Sequence, residues 1–352
     1  MRFTYNYNAD KIKTNSLEIL GLTNMTLNFN TIIATAISAA TLTATAGENL
    51  WVYAKGTDTR PADSYEFKLA DTIRLDKNAG DHYTFHDIRP EIEYGVSDKL
   101  TIAAEAIIFI HDYDLGSEAE GAPCPMCEAG DGTGKFSDTQ FAGYELTMKY
   151  NVLSPYKDAF GFSYGLSYER RDKYRLDGAD IDQNSFVGSL FFQKDFWDDT
   201  LVTVFNIKTE FERRKSGTVV EDELALDISA GISYRFAPQW FIGLEFRHQS
   251  DYLNPQDKAE KGNTAGGFDA NGYTLGLDKT NFDLTDLRIG SQHQNGNYFG
   301  PTLHFAEQKW WLTAGVLWQI SGGGSEHADV RNGRNWDEHE KMHIGLSYGY
   351  EF

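Results

Sequence analysis

The segment Ile344-Gly345-Leu346-Ser347-Tyr348-Gly349-Tyr350-Glu351-Phe352 places bulky apolar or aromatic side chains at every second position, with small or polar residues between them. In an extended chain alternate residues share a face, so one side of this strand is greasy and the other is not. The chain around it is polar: 24% of its 352 residues are charged and the mean hydropathy is −0.47. No stretch supplies the roughly 20 apolar residues that a membrane-spanning helix needs. Strands with one apolar face in a polar chain fit a closed transmembrane barrel, which turns that face to lipid and the other to a polar lumen.

The same alternation recurs upstream in eleven further segments. Their approximate limits are 64–77, 84–96, 100–113, 139–153, 159–174, 184–196, 200–213, 221–236, 240–252, 297–306 and 310–321, with the last strand at 338–352. The predicted fold is therefore an all-β, closed antiparallel transmembrane barrel of about twelve strands, occupying 64–352 as one domain. Short links at Ser97-Asp98-Lys99, Ser154 to Asp158, Trp197-Asp198-Asp199, Ala237-Pro238-Gln239 and Glu307-Gln308-Lys309 read as periplasmic turns. The intervening links are mostly longer, notably 114–138, 253–296 and 322–337, and read as external loops, with Gly322 to Gly324 flexible. An even strand number lets the first and last strands pair antiparallel and removes the sheet edges. The aromatic share is 14%. Tyr94, Tyr150, Trp197, Phe236, Trp240, Trp310 and Phe352 gather at the short-turn end as a predicted interfacial girdle.

Residues 1–46 read as an N-terminal extension with a signal peptide, because the apolar run Thr31 to Thr45 meets an Ala44-Thr45-Ala46 cleavage pattern. Residues 47–63 precede the first strand and are assigned to the periplasmic mouth or the lumen. Removing 1–46 leaves a net charge of about −21, which argues against nucleic acid as a partner. The expected partners are outer-membrane lipid and lipopolysaccharide, with divalent cations bridging acidic external loops to the latter. No cofactor or metal motif is evident.

Several stretches resemble an uncharacterised family of Gram-negative outer-membrane proteins. They are Ala46-Gly47-Glu48-Asn49-Leu50, Ser233-Tyr234-Arg235-Phe236-Ala237-Pro238, Trp240-Phe241-Ile242-Gly243, Phe299-Gly300-Pro301-Thr302-Leu303-His304 and Lys309-Trp310-Trp311. The resemblance implies a barrel in the bacterial outer membrane and carries no activity with it. The terminal strand also resembles the C-terminal signal read by the outer-membrane assembly machinery.

Face sorting predicts the lumen. Ile88, Pro90, Ile92 and Tyr94 face lipid, which turns Arg89, Glu91 and Glu93 inward; the same logic places Glu66, Lys68, Glu105, His111, Glu145, Lys149, Lys208, Glu210, Asp227, Arg235, Glu245 and Arg247 inside. The candidate pore-lining set is Glu66, Lys68, Arg89, Glu91, Glu93, Glu105, Glu245 and Arg247, with Lys341 and His343 beside the closing strands. Such charges either set the selectivity of a water-filled pore or pair and close it. The favoured function is passive diffusion of small polar or charged solutes; the alternative is a closed structural or adhesion barrel acting through acidic loops.

Cys124-Pro125-Met126-Cys127 reads as a local disulfide in an exported protein. A lipid-face acyl hydrolase is the third reading. His248 and Ser250, two apart on a strand, point outward at headgroup height, and Asn297 opens the next predicted strand. This is similar to outer-membrane phospholipases, although Asp251-Tyr252 stands where that family has Asn-Gly after its serine. His82, His86, His327 and His339 read as surface histidines.

Overall fold

The structure, a computed structural model, describes residues 49–77, 81–114, 135–217, 219–253, 282–283, 288–289, 292–324, 330–331, 334–335 and 339–352. All lie in the unit Thr43–Phe352. The strands are β1 (Tyr65–Lys77), β2 (Asp81–Ser97), β3 (Leu100–Asp114), β4 (Lys135–Leu153), β5 (Gly161–Lys173), β6 (Asp180–Phe196), β7 (Leu201–Ser216), β8 (Val219–Ala237), β9 (Trp240–Leu253), β10 (Phe282–Asp283), β11 (Arg288–Ile289), β12 (Gln292–Ala306), β13 (Trp310–Gly324), β14 (Val330–Arg331), β15 (Arg334–Asn335) and β16 (Met342–Glu351). Twelve close a barrel in the order β1-β16-β13-β12-β9-β8-β7-β6-β5-β4-β3-β2, while β10–β11 and β14–β15 form two separate two-residue hairpins. Closure is antiparallel: Glu66 lies opposite Glu351 and Ile73 opposite Ile344.

The outer surface explains the alternation. Leu69, Ile92, Ile102, Leu146, Leu166, Leu190, Ile232, Ile242, Leu244, Leu303, Leu312 and Leu346 are all exposed, as a lipid-facing wall demands. At the short-turn end, ring contacts run Phe236–Trp240 (6.5 Å), Trp240–Phe305 (4.8 Å), Phe305–Trp310 (5.2 Å) and Trp310–Tyr348 (6.3 Å), with Tyr65–Tyr94 (4.7 Å) farther round the rim. Tyr144, Tyr168 and Phe186 form a second row higher on the wall.

The external ends differ from the sequence reading. β4 starts at Lys135, β6 at Asp180 and β12 at Gln292, several residues before their apolar patterns begin; β7 and β13 run past theirs. The ladder continues above the headgroups, where an outward side chain no longer needs to be apolar and the alternation loses contrast. Gly322 and Gly323, read as loop, therefore pair with Gly296 and Asn295. For the same reason two external links are short: 78–80 joins β1 to β2, and 217–218 joins β7 to β8. The last strand errs the other way. It begins at Met342, and His339 and Glu340 fold into the interior instead.

Candidate functional site

Residues 49–63 lie inside the barrel, in the half nearest the short turns, and their contacts follow its wall strand by strand. Thr313 of β13 donates to the carbonyl of Asn49. Glu245 of β9 accepts the backbone amides of Val52 (2.9 Å), Tyr53 (2.8 Å) and Ala54 (2.6 Å). Asn206 of β7 brackets Lys55, accepting its N–H at 2.7 Å and donating to its C=O at 2.9 Å. Gln193 of β6 accepts the Thr57 amide at 2.8 Å, and Asn151 of β4 and Ser163 of β5 donate to the Thr57 carbonyl. Thr101 of β3 accepts the Arg60 amide at 2.8 Å, and the Asp63 amide reaches Gly95 O of β2 at 2.8 Å. The chain then enters β1.

The segment is thus an inner collar. A peptide leaving bulk water must have its N–H and C=O groups satisfied, and here inward amides, hydroxyls and one carboxylate supply the partners that a neighbouring strand would otherwise give. Space comes from inward glycines. A Cβ at Gly95 would strike Pro61, at Gly161 Thr57, at Gly231 Trp51, and at Gly315 or Gly345 Val52. Leu50, Trp51 and Ala54 pack against Val202, Val204 and Phe241. Dimensions agree: twelve strands spaced about 4.8 Å and tilted about 40° give a backbone circumference near ~75 Å, whereas the extended collar spans about 50 Å. It fits as a ring some 4 Å (~) inside the wall.

Above the collar is a belt of charge. Arg89 holds Asp87 (2.7 Å), Glu105 (2.7 Å), Glu145 (3.2 Å) and Glu169 (3.2 Å). Glu169 also meets Arg171 at 2.6 Å, and Arg171 reaches Glu212 at 3.2 Å. With Glu210, Lys208 and Arg214, the belt sets six carboxylates against four cations. Other inward charges pair as well. Lys68 binds Glu91 at 3.1 Å and Glu93; Arg60 of the collar binds Glu66 at 2.8 Å and Glu351 at 3.2 Å. Arg247 pairs with Asp227 at 2.6 Å and lies 3.6 Å from the centre of the Tyr53 ring.

All eight candidate pore-lining residues therefore face the interior, but Glu245 is wholly committed to the collar. Lys341 sits just before β16, its amide bonded to Leu75 O and Asp76 O of β1. Sequence reasoning missed Asp87, Glu169, Arg171 and Glu212 as belt members and Arg60 as a collar residue. Inward glycines on so many strands were the available signal, since a strand glycine often marks the close approach of another backbone.

Near the external end the interior is not uniformly charged. Tyr83, Phe85, Ile107, Phe109 and Tyr113 form a buried inward cluster. The β5–β6 link folds over them: Tyr83 and Tyr113 donate to Leu176 O (3.2 Å) and Asp177 O (3.1 Å). Beside this cluster, against β1 and β16, Glu340 meets Lys77 at 3.4 Å, Arg74 at 3.8 Å and His343 at 3.1 Å. Burial pushes its carboxyl up, but Lys77, Arg74 and His343 outweigh this and hold it well below the ordinary value. Beside it His339, read as a surface residue, is 2% exposed because the segment before β16 turns inward. His82 and His86 do lie toward the surface, against Asp112 and Asp71; His327 lies outside the described residues.

On the outer side of β9 and β12 the structure brings together His248, Ser250 and Asn297. β12 begins before Asn297, which sits directly opposite His248 and not at the strand's start. Unlike Ile242 and Leu244 on the same face, His248 and Ser250 are buried. Cys124 and Cys127 lie outside the described residues, as do the acidic loops read as cation-bridging. Among the described residues no cluster of three or more His, Cys, Asp or Glu is arranged to hold a metal ion.

A closed antiparallel barrel with an apolar outer wall, an aromatic rim and an ionic interior is an outer-membrane β-barrel. The particular lineage follows from the sequence: the chain belongs to the family of unknown function DUF6662, whose model matches residues 43–352. No curated protein matches it. Among solved structures it is similar to an outer membrane channel from Pseudomonas putida F1, with a TM-score of 0.53 at 8% identity over 84% of this chain and 98% of that one. It also matches the beta domain of a Bordetella autotransporter, at 0.45 and 11% over 83% and 100%, and the KdgM porin, at 0.40 and 11% over 82% and 99%. At such identities the likeness to the channel is one of fold.

Proposed function

We propose that this barrel is a narrow passive channel for small polar or charged solutes, constricted by the 49–63 collar and selective for cations. One observation carries the reading: the belt above the collar has an excess of carboxylates and still meets water, with Lys208 44% and Arg89 24% exposed. Charged rings in a water-filled constriction bias which ion passes. The collar follows the wall and presents Lys55 as its exposed charge. Cleavage after Ala46 would make the collar the mature N-terminus, threaded into the lumen during assembly; N-terminal sequencing of protein from outer membranes tests this.

The second reading, a closed barrel acting through its acidic external loops, draws support from the buried aromatic cluster and the inward β5–β6 link. Swelling of proteoliposomes in solutes of graded size and charge separates the two. The channel reading predicts swelling that is fastest for small cations; no swelling in any solute, with folded protein, favours the closed barrel.

A further inference from the structure

The outward surface of β9, β12 and β13 carries a chain of side chains that a channel does not need. Phe246, Phe299 and Trp318 stand side by side across these strands. One row farther out come His248, Asn297 and Ser321, the β12–β13 register shifting by one residue between the two rows. An aromatic row marks a membrane interface, so the polar row lies at headgroup level. Asn297 Nδ2 donates to Ser321 Oγ at 3.1 Å, which turns its Oδ1 to His248 Nδ1 at 2.8 Å. An amide oxygen only accepts, so His248 donates from Nδ1, and in the neutral ring Nε2 is then the acceptor. That nitrogen lies 3.3 Å from Ser250 Oγ. A register shift between Gln292 and Gln294 falls beside Ser250, and such bulges re-aim side chains next to active sites.

We propose that Ser250, His248 and Asn297 form a second, lipid-facing site that hydrolyses long-chain acyl esters. Ser250 Oγ bonds to the ester carbonyl carbon as its proton passes to His248 Nε2. The carbon–oxygen bond to the alcohol breaks, and that proton goes to the departing alkoxide. Water then attacks the acyl-serine, His248 takes one of its protons, the Oγ–carbon bond breaks, and the proton returns to Ser250 as the fatty acid leaves. No oxidant, metal or cofactor enters the balance. Asn297 is a positioning residue, fixing the imidazole tautomer. Ser250 is fully buried, and the substrate class that this face of the barrel meets is membrane lipid, either a glycerophospholipid or the acylated disaccharide of lipopolysaccharide.

The test uses the refolded full chain with phosphatidylethanolamine vesicles and, separately, lipid A. It measures fatty-acid release and labelling of Ser250 by a fluorophosphonate probe, with heat-modifiable migration as the folding control. The expected result is release from one or both lipids, which names the source, with labelling at Ser250. Ser250→Ala should abolish both, a loss on the order of 10³-fold or more. Asn297→Ala should lower kcat with KM unchanged, and Asn297→Asp should restore it, a rescue that a merely structural contact does not predict. Folded wild-type protein that neither labels nor releases fatty acid from either lipid overturns the proposal. So does undiminished release by Ser250→Ala.

Discussion

Glu245 is the residue on which the collar depends most. Its two oxygens accept three consecutive backbone amides, and hydrogen bonds to a charged group are the strong ones. Glu245→Ala orphans all three donors and costs the docked collar roughly 2–5 kcal/mol. Limited proteolysis should then cut within 49–63 in folded barrels, where the wild type resists. The opposing wall makes a complementary case. Gly345→Ala pushes a methyl into Val52, an overpacking worth about 1–3 kcal/mol, and Val52→Ala should recover most of it; a double-mutant cycle with no coupling would remove that contact from the account. His339 gives the pH dependence. Burial holds its imidazole well below the ordinary value, so below about pH 6.5 the unfolded chain takes up a proton that the folded one refuses. Its contribution to stability is complete above that pH and falls as pH drops toward the folded value, by up to about 1.4 kcal/mol per unit. Urea midpoints at pH 7.5 and pH 5 should converge in His339→Phe if this holds.

Elements differ in how far they can be read from sequence. The lipid-facing stretches were legible because the bilayer imposes a two-residue rhythm on every strand, and the periplasmic turns because they interrupt that rhythm tightly. The inward charges followed by parity, so Glu66, Lys68, Arg89 and Glu105 were placed on the correct face without coordinates. Which charge meets which was not legible. Arg89 gathers carboxylates from β2, β3, β4 and β5, and that depends on strand stagger. For the collar the sequence left the periplasmic mouth and the lumen both open, because its partners are side-chain amides and hydroxyls scattered over many strands and it needs no periodicity of its own. The inward charges, in the belt and beside Lys68, are testable as a group. Glu105→Gln with Glu145→Gln, or Glu91→Gln with Glu93→Gln, should move the reversal potential in a salt gradient toward zero, while Lys55→Glu should strengthen cation preference. Unchanged reversal potentials in all three would exclude these side chains from ion selection.

As a whole, the molecule is a barrel that carries its own inner collar. The wall is set by lipid, and closure removes the edges that lipid could not satisfy. The collar then lines the wall of the lumen in the half nearest the short turns, and on the proposed channel reading the acid-rich belt is the surface that a permeating ion would meet. Deleting 49–60 should therefore widen the pore without dissolving the barrel, because the ladder from β1 to β16 involves none of those residues. The most direct test is single-channel conductance of the refolded chain in a planar bilayer under a salt gradient, beside Glu245→Ala. The account predicts small discrete steps with a cation-selective reversal potential in the wild type, and larger steps when Glu245 is removed. Silence from folded protein of both forms, or steps of equal size, would contradict it.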